Sequence, residues 1–447
     1  MLKFHLVTDT HYYNDDALGQ SAHVDQKTLN ESGAIIDAAF EKIIEQTDTD
    51  IVLIAGDLSN NGERASHDGF LQKLRHLKAN GKRVYLITAT HDYGQTTILD
   101  DGSDPQPGVT YRSELRGLYN EFGFHEAIAE FEQLSYVVQL APGYRLLALN
   151  DDGDGRAFCG YYEPQLAWIL EQIRKAREDG EFLFAMTHHP VLPPSPIYPL
   201  ISRRDMLGDY ENCAKTLADA GLRFIFTGHT HMQNIGSLTT ESGNRLYDIN
   251  TGSLVGFDTP IRKVTVDEKN MTVETQRVET ERVNLDLGGK TLSEYLRDHF
   301  DFLLKDIFDA AANDIDRLAA HSGGFSVDPK TVYKYRAPIQ AIGKALDTMT
   351  LGMAGYLCFC PQRVDKSIRH IKIKDLLPEL VRSIYAGDEP YSIHTPIGNA
   401  LLAIAGNLNT LGNPLIEKLG LGDLRRFLAP IIYDPTPDNN AVLPLKG

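Results

Sequence analysis

Five short apolar runs, each ending in a cluster of Asp or His, set the limits on what this chain can fold into. The runs are Phe4 to Val7, Ile51 to Ile54, Val84 to Ile87, Phe182 to Met186 and Phe224 to Thr227. Bounded by Gly and polar residues, runs of this length read as buried strands. The clusters that follow them are Asp9-Thr10-His11, Gly56-Asp57, Thr90-His91-Asp92, His188-His189-Pro190 and Gly228-His229-Thr230-His231. In an open α/β sheet the loops at the carboxyl ends of strands converge on one crevice. Five clusters far apart in sequence are therefore expected in one place, with the composition of a two-metal hydrolytic centre.

The segments between the runs fit an α/β order. Leu29 to Gln46 carries Ala34, Ile35, Ala38, Ala39, Ile43 and Ile44 near a 3.6-residue period, and Pro164 to Glu178 has Pro near its first turn. Phe70 to Lys78 is a further helix, stopped by Asn80-Gly81. Tyr136 to Leu140, Arg145 to Leu149 and stretches from Leu246 to Val278 read as strands. The polar loop Tyr12 to Asn30 is expected at the rim of the crevice, and Gln95 to Gly117 as an exposed insertion. Asn150-Asp151-Asp152-Gly153-Asp154-Gly155 looks calcium-binding but lacks the later spacing and terminal Glu of such a loop, so it reads as a loop near the rim. Composition changes after Leu287-Gly288-Gly289. The helical signals beyond it lie at Tyr295 to Ala320, Val332 to Tyr356, Ile373 to Tyr385 and Gly398 to Leu408, before a Pro-containing, irregular tail. The expected domains are 1–286 and a helical 291–447.

The order of the clusters resembles the calcineurin-like metallophosphoesterase superfamily, whose pattern is D-x-H, G-D, G-N-H-D or -E, H and G-H-x-H. Asp9 to His11, Gly56-Asp57, His188 and Gly228 to His231 fit it, while Ala89-Thr90-His91-Asp92 departs by carrying Thr where the family has Asn. Gln165 and Trp168 also fit a helix that the family tends to carry. The resemblance covers residues 1–285 and implies an α/β/β/α sandwich of two mixed sheets, followed here by a smaller all-helical domain. It implies that Asp57 bridges two cations, with Asp9, His11 and His231 at one and His188 and His229 at the other. Thr90 would be a weak ligand, be replaced by a water, or leave the second site poorly occupied. His91 would donate a hydrogen bond or proton to the leaving group, oriented by Asp92, while a metal-bound hydroxide attacks. His189 is left for substrate or supporting contacts.

A His and Asp set without thiolate fits Mn, Fe or Zn better than Ca or Mg. The spacing of Gly228-His229-Thr230-His231 suits the task if the backbone is extended, because alternate side chains then project the same way. Arg203 and Arg204, in the loop after the His pair, are candidates for phosphate contact.

The formal net charge of −17 over 447 residues, from 44 Lys and Arg against 61 Asp and Glu, argues against a basic surface for duplex nucleic acid and hence against a nuclease. No signal-peptide pattern precedes the first strand. The longest weakly polar run, Met349 to Cys360, falls far short of the roughly 20 residues of a membrane helix. Cys159, Cys213, Cys358 and Cys360 are too scattered for a disulfide scaffold, although Cys358-Phe359-Cys360 is a candidate for binding a metal. The expectation is a cytoplasmic enzyme that takes a small phosphoester and has no membrane partner, its C-terminal helices open to packing, pocket capping or self-association. Within the family the resemblance is to the cyclic-nucleotide phosphodiesterase group, so hydrolysis of a cyclic nucleotide or a glycerophosphodiester leads. A phosphomonoesterase, a nuclease disfavoured by the acidic charge, and a metal-binding scaffold weakened at Thr90 are the alternatives.

Overall fold

The computed structural model describes the chain apart from residues 16–25, 95–107, 133, 154–158, 197, 202, 322–327, 388–390, 419–428, 431, 434–435 and 447. The expected strands form, and they assemble into two mixed sheets. The first has the order β13-β12-β11-β1-β2-β3, built from β1 (Leu2–Val7), β2 (Ile51–Ala55), β3 (Arg83–Ile87), β11 (Pro260–Val266), β12 (Asn270–Arg277) and β13 (Ala441–Pro444). The second has the order β4-β5-β6-β7-β8-β10-β9. Its strands are β4 (Ala129–Phe131), β5 (Ser135–Ala141), β6 (Tyr144–Ala148), β7 (Phe182–Met186), β8 (Phe224–Thr227), β9 (Asn234–Thr239) and β10 (Arg245–Asn250).

In each sheet the central strands run parallel. β2 lies between β1 and β3, and β7 lies between β6 and β8. The parallel strands read as continuous apolar runs because both of their faces are covered: all five residues of β2 are buried. Between the sheets, Phe4 of β1 stacks on Phe184 of β7 at 5.1 Å and meets Phe226 of β8 edge-on at 5.5 Å. Aromatic rings at these separations add to the area they bury, so β1, β7 and β8 are locked in register at the centre of the core. The helices α1 (Ser32–Glu45), α2 (Arg64–Ala79), α3 (Arg112–Leu118), α4 (Glu163–Glu178) and α5 (Tyr210–Ala220) complete this unit. Of the apolar residues expected at helical spacing on the inward face of α4, Ile169 and Ile173 are buried, Leu166 and Leu170 are half-buried, and Gln165 and Gln172 share the buried face. Gln165 Nε2 donates to the Asn150 carbonyl at 2.7 Å, which ties the helix to the loop after β6.

The chain divides at other places than the sequence suggests. One compact unit comprises residues 1–194, 205–296 and 438–447, and the other comprises 195–204 and 297–437. The division falls inside α6 (Leu292–Asn313) rather than at the Gly pair. The tail, expected to be irregular and part of the helical domain, instead supplies β13, which pairs antiparallel with β12 (Met271 opposite Leu443). Its attraction is physical. The fully buried Arg262 guanidinium needs acceptors, and Nη1 donates to the carbonyls of Asp438 and Asn439 at 2.8 and 3.1 Å.

The second unit is helical: most of α6, then α7 (Ile315–His321), α8 (Pro329–Lys334), α9 (Arg336–Thr348), α10 (Leu351–Leu357), α11 (Ile373–Ala386) and α12 (Pro396–Lys418). The single helix expected over 332–356 is three, because the chain turns at Tyr335 and again at Met349-Thr350, where the Thr350 side chain caps α10 by accepting from Met353 N. No helix is long and apolar enough to cross a membrane among the described residues.

Candidate metal centre

The five clusters do meet. Carboxylate and imidazole atoms form two groups, Asp9 with His11 and His231, and Asp57 with His188 and His229, each with its ligand atoms within 4.8 Å of one another. His11 Nε2 and His231 Nε2 lie 3.1 Å apart and 3.7 and 3.4 Å from Asp9 Oδ1. Asp57 Oδ2 lies 3.1 Å from His188 Nε2 and 3.7 Å from His11 Nε2, so one carboxylate oxygen is shared between the groups.

The local backbone explains how neighbours in sequence serve different groups. Asp9, His11, Asp57, His229 and His231 all have left-handed φ, between 36 and 66°. For non-glycine residues this conformation costs roughly 1–2 kcal/mol each and persists only where the surroundings impose it. Here interlocking loops do so: Asp9 N donates to the Gly56 carbonyl at 3.1 Å and His11 N to the Asp57 carbonyl at 2.9 Å. The extended backbone expected for Gly228 to His231 is therefore corrected. With a left-handed residue at both His229 and His231, the two rings go to separate groups. The motif glycines are needed for space. A Cβ on Gly56 would sit 2.7 Å from His188 Nδ1, and one on Gly228 would sit 2.4 Å from Asp9 Oδ2.

Whether cations fit can be judged from His188. Its Nδ1 donates to the Ala55 carbonyl at 2.9 Å, so the neutral ring presents a lone pair at Nε2. That buried Nε2 has no hydrogen-bond partner among the described residues and faces a carboxylate oxygen. Two acceptors aimed at each other need a proton or a cation between them. Without a cation the proton is favoured: burial opposes it, but Asp57 and Asp9 outweigh burial and push the His188 pKa up to about 10. Asp57 and Asp9 are correspondingly held well below the usual carboxylate range; burial works against this, and the neighbouring imidazoles, His188 foremost, prevail. His11, by contrast, is pushed down to about 4, chiefly by burial, and stays neutral as a ligand must. An oxygen and imidazole donor set with lone pairs converging in this way fits two divalent transition-metal ions.

His91 stands beside the first group, its ring 5.1 Å from that of His11 and perpendicular to it. Its backbone N–H donates to Asp57 Oδ1 at 3.1 Å, and its Nδ1 donates to the Asn60 carbonyl. That bond fixes the tautomer and leaves Nε2 as the nitrogen able to exchange a proton with a substrate. Asp92 does not orient the ring, as the sequence suggested. Its carboxylate accepts from the backbone N–H groups of Leu58, Ser59 and Ala89 at 2.7, 2.9 and 2.8 Å. It pins the Asp57 loop to the His91 loop and so acts through position. Thr90 is buried in that same turn.

His189 is 1% exposed and is held from within the fold. Its Nδ1 meets Asp151 Oδ1 at 3.0 Å, and its ring lies 4.0 Å from that of His229. Asp151, read from sequence as part of a rim loop, is a buried hub. Its Oδ2 accepts from Thr187 Oγ1, His188 N and His189 N at 2.8, 3.0 and 2.6 Å. Burial alone would raise its pKa, but His189 draws it down to about 2. Asn250 and Asp248 do the same for the last cluster, Asn250 Nδ2 donating to the Gly228 carbonyl and Asp248 accepting from Val191 N, Leu192 N and Thr227 Oγ1. A run of adjacent Asn and Asp directly after an apolar strand was the one available signal for Asp151; Asp248 and Asn250, inside a strand, gave none. Arg203 and Arg204 are exposed and belong to the second compact unit. Of the polar loop Tyr12 to Asn30, expected at the rim, residues 16–25, with Asp16, His23 and Asp25, lie outside the described residues, as does Asp154.

A model of the family described as calcineurin-like phosphoesterase matches residues 2–233. The chain belongs to the calcineurin-like phosphoesterases. This phosphoesterase is similar to a probable glycerophosphodiester phosphodiesterase of Arcobacter nitrofigilis, 24% identical over 141 residues. The aligned stretch is 32% of this chain and 42% of that relative, less than half its length. Among solved structures it is similar to a dimetal phosphatase from Danio rerio (15% identity, 63% of this chain and 96% of that one, TM-score 0.45). It is also similar to a purple acid phosphatase from yellow lupin, Lupinus luteus (13% identity, 62% of this chain and 51% of that one, TM-score 0.45).

Proposed function

We propose that this phosphoesterase is a metal-dependent phosphodiesterase acting on a small phosphodiester, a cyclic nucleotide or a glycerophosphodiester. The observation that carries the reading is Asp57 Oδ2 set between two imidazole-bearing ligand groups, with His91 held beside them by Asp57 itself. Two divalent cations held by these groups would neutralise charge on the phosphoryl oxygens and lower the pKa of an attacking water. The chain's own residues do the rest. Asp9, His11, His188, His229 and His231 converge as ligands, Asp92 and Asp151 hold the loops that carry them, and His91 delivers a proton to the leaving oxygen. Thr90 lies in the turn where the family places an Asn ligand, and its hydroxyl is a weaker donor to a metal.

A diester is favoured over a monoester by the named activity of the Arcobacter relative. The phosphomonoesterase is the second reading. Turnover of bis-nitrophenyl against mono-nitrophenyl phosphate in the presence of Mn separates them; a clear preference for the monoester overturns the ordering. The His91 role has its own signature. Nitrophenolate leaves without a proton, whereas an alkoxide does not, so His91→Ala should reduce turnover of glycerophosphocholine far more than that of the nitrophenyl diester.

A further inference from the structure

One stretch singled out by its sequence takes no part in this chemistry. From Leu351 to Cys360 the chain has no charged residue, and the structure folds it as α10 and a following turn. One side of α10 packs inward. Leu351, Ala354, Cys358 and Cys360 join Val364 and Ile368 in the apolar cluster of the second unit. The two cysteines are thus core residues rather than metal ligands, and burial pushes both thiols up. The other side is equally apolar and faces solvent: Met353, Tyr356, Leu357 and Phe359 are 49, 64, 61 and 73% exposed. Positions 353, 356 and 357 follow the i, i+3, i+4 spacing of one helix face. An amphipathic helix would carry polar residues there.

The segment alongside has the opposite character. Leu351 N and Gly352 N donate to the carbonyls of Ile371 and Arg369, and Thr350 bridges to Lys372, so residues 361–372 are tied against α10. Between Met349 and Lys374 there are five Lys and Arg (Arg363, Lys366, Arg369, Lys372 and Lys374) and one acid, Asp365, a local net charge of +4 in a chain of −17. Arg363, Lys366 and Lys372 are exposed and enter no ion pair among the described residues.

We propose that this face binds the surface of a membrane containing anionic lipid, with Met353, Tyr356, Leu357 and Phe359 entering the headgroup region and the basic residues meeting lipid phosphates. Aromatic and aliphatic side chains flanked by Lys and Arg suit the interface, and the run is too short to span a bilayer, so it lies on the surface. A second copy is a poorer occupant. A self-contact through this face would bring two like-charged strips into one interface. The proposal revises the sequence-based expectation of no membrane partner and is independent of the substrate reading.

Co-sedimentation of the full chain with vesicles of phosphatidylcholine, with and without phosphatidylglycerol, tests it. Binding is expected only with phosphatidylglycerol, and should weaken by about tenfold or more from low to high salt. Leu357→Ser with Phe359→Ser, and separately Lys366→Glu with Lys372→Glu, should each lower the partition coefficient by at least about tenfold with an unchanged far-UV spectrum. All four sites are exposed, and the charge pair leaves the apolar face intact should the serine pair misfold. Three results overturn the proposal: equal or absent binding to both vesicle types, charge variants that sediment as the parent does, or a lipid-free dimer that Phe359→Ser dissociates.

Discussion

In the first unit Asp9, Asp57, Asp92, Asp151 and Asp248 are almost completely withdrawn from solvent, whereas in the second Phe302, Tyr356, Leu357 and Phe359 stand mostly exposed. Each arrangement runs against the usual preference of its residue type. Burying a carboxylate is costly unless donors or opposite charges compensate. The first unit gives each one partners: backbone N–H groups for Asp92 and Asp248, three donors and an imidazole for Asp151, and converging imidazoles for Asp9 and Asp57, although burial still raises the pKa of Asp92 and Asp248. Such groups hold a reaction centre in place. Leaving aromatic rings in water is uncompensated among the described residues of the second unit, and that points outward to contact with something else. Chemistry and attachment are thus divided between the two units.

The comparison can be broken most directly at the shared carboxylate. Asp57→Asn removes a charge that both ligand groups use, and should lower turnover by roughly a thousandfold or more. Elemental analysis should show loss of bound metal in parallel; a variant that keeps both metal and rate would refute the centre as described.

The next effect is on stability, and it follows from two buried histidines outside the centre. Burial, the leading cause in each case, lowers His5 and His67 from 6.5 to about 4. As pH falls, the unfolded chain takes up these protons first, so stability is fully present above about pH 6.5 and is lost progressively down to about pH 4. The loss is on the order of 3 kcal/mol for each residue. The single tryptophan, Trp168, lies in the first unit and packs near Phe131, so its fluorescence follows that unit during urea unfolding. Burial raises Asp152 and Asp248 to about 6, which acts in the opposite sense over the same window, so the comparison that isolates a histidine is with His5→Leu. The midpoint of that variant should fall less than the parent's between about pH 7 and about pH 4.5; equal falls would show that the His5 imidazole is not buried neutral.

Asp151→Asn is expected to have a smaller effect, weakening metal affinity or activity by about 10- to 100-fold through the turn that carries His188. A drop in metal affinity with KM unchanged separates positioning from substrate contact. Smallest of all, Thr90→Asn should tighten the second metal by a few-fold. Unchanged stoichiometry and rate would mean that this position is not a ligand here.

Much of this was readable in advance where local signals agree with the tertiary outcome. Strand β2 is apolar throughout because both of its faces are covered, and Gly56 ends it because only glycine leaves room for His188. Less readable were residues whose roles depend on long-range partners. Asp92 looked like a companion to His91, its neighbour, yet it bonds to Leu58 and Ser59, 33–34 positions away. Asp151 sat in a stretch that composition marks as a loop, and β13 in a tail marked by proline. In both cases a buried polar group elsewhere, the His189 imidazole or the Arg262 guanidinium, required the partner.

By itself the sequence determined the α/β architecture, the sheet-forming runs and the identity of the residues that gather at their ends, since hydrophobic period and glycine placement act over a few residues. The family resemblance implied which imidazole joins which group, and the structure groups them in the same way. Tertiary structure alone decided how left-handed backbone sends His229 and His231 to those groups, which carboxylates hold loops rather than ligate, and that one face of an uncharged helix remains open beside a basic strip. Those outcomes turn on left-handed backbone and on hydrogen bonds between segments far apart in the chain, and neither leaves a periodic trace in the order of the amino acids.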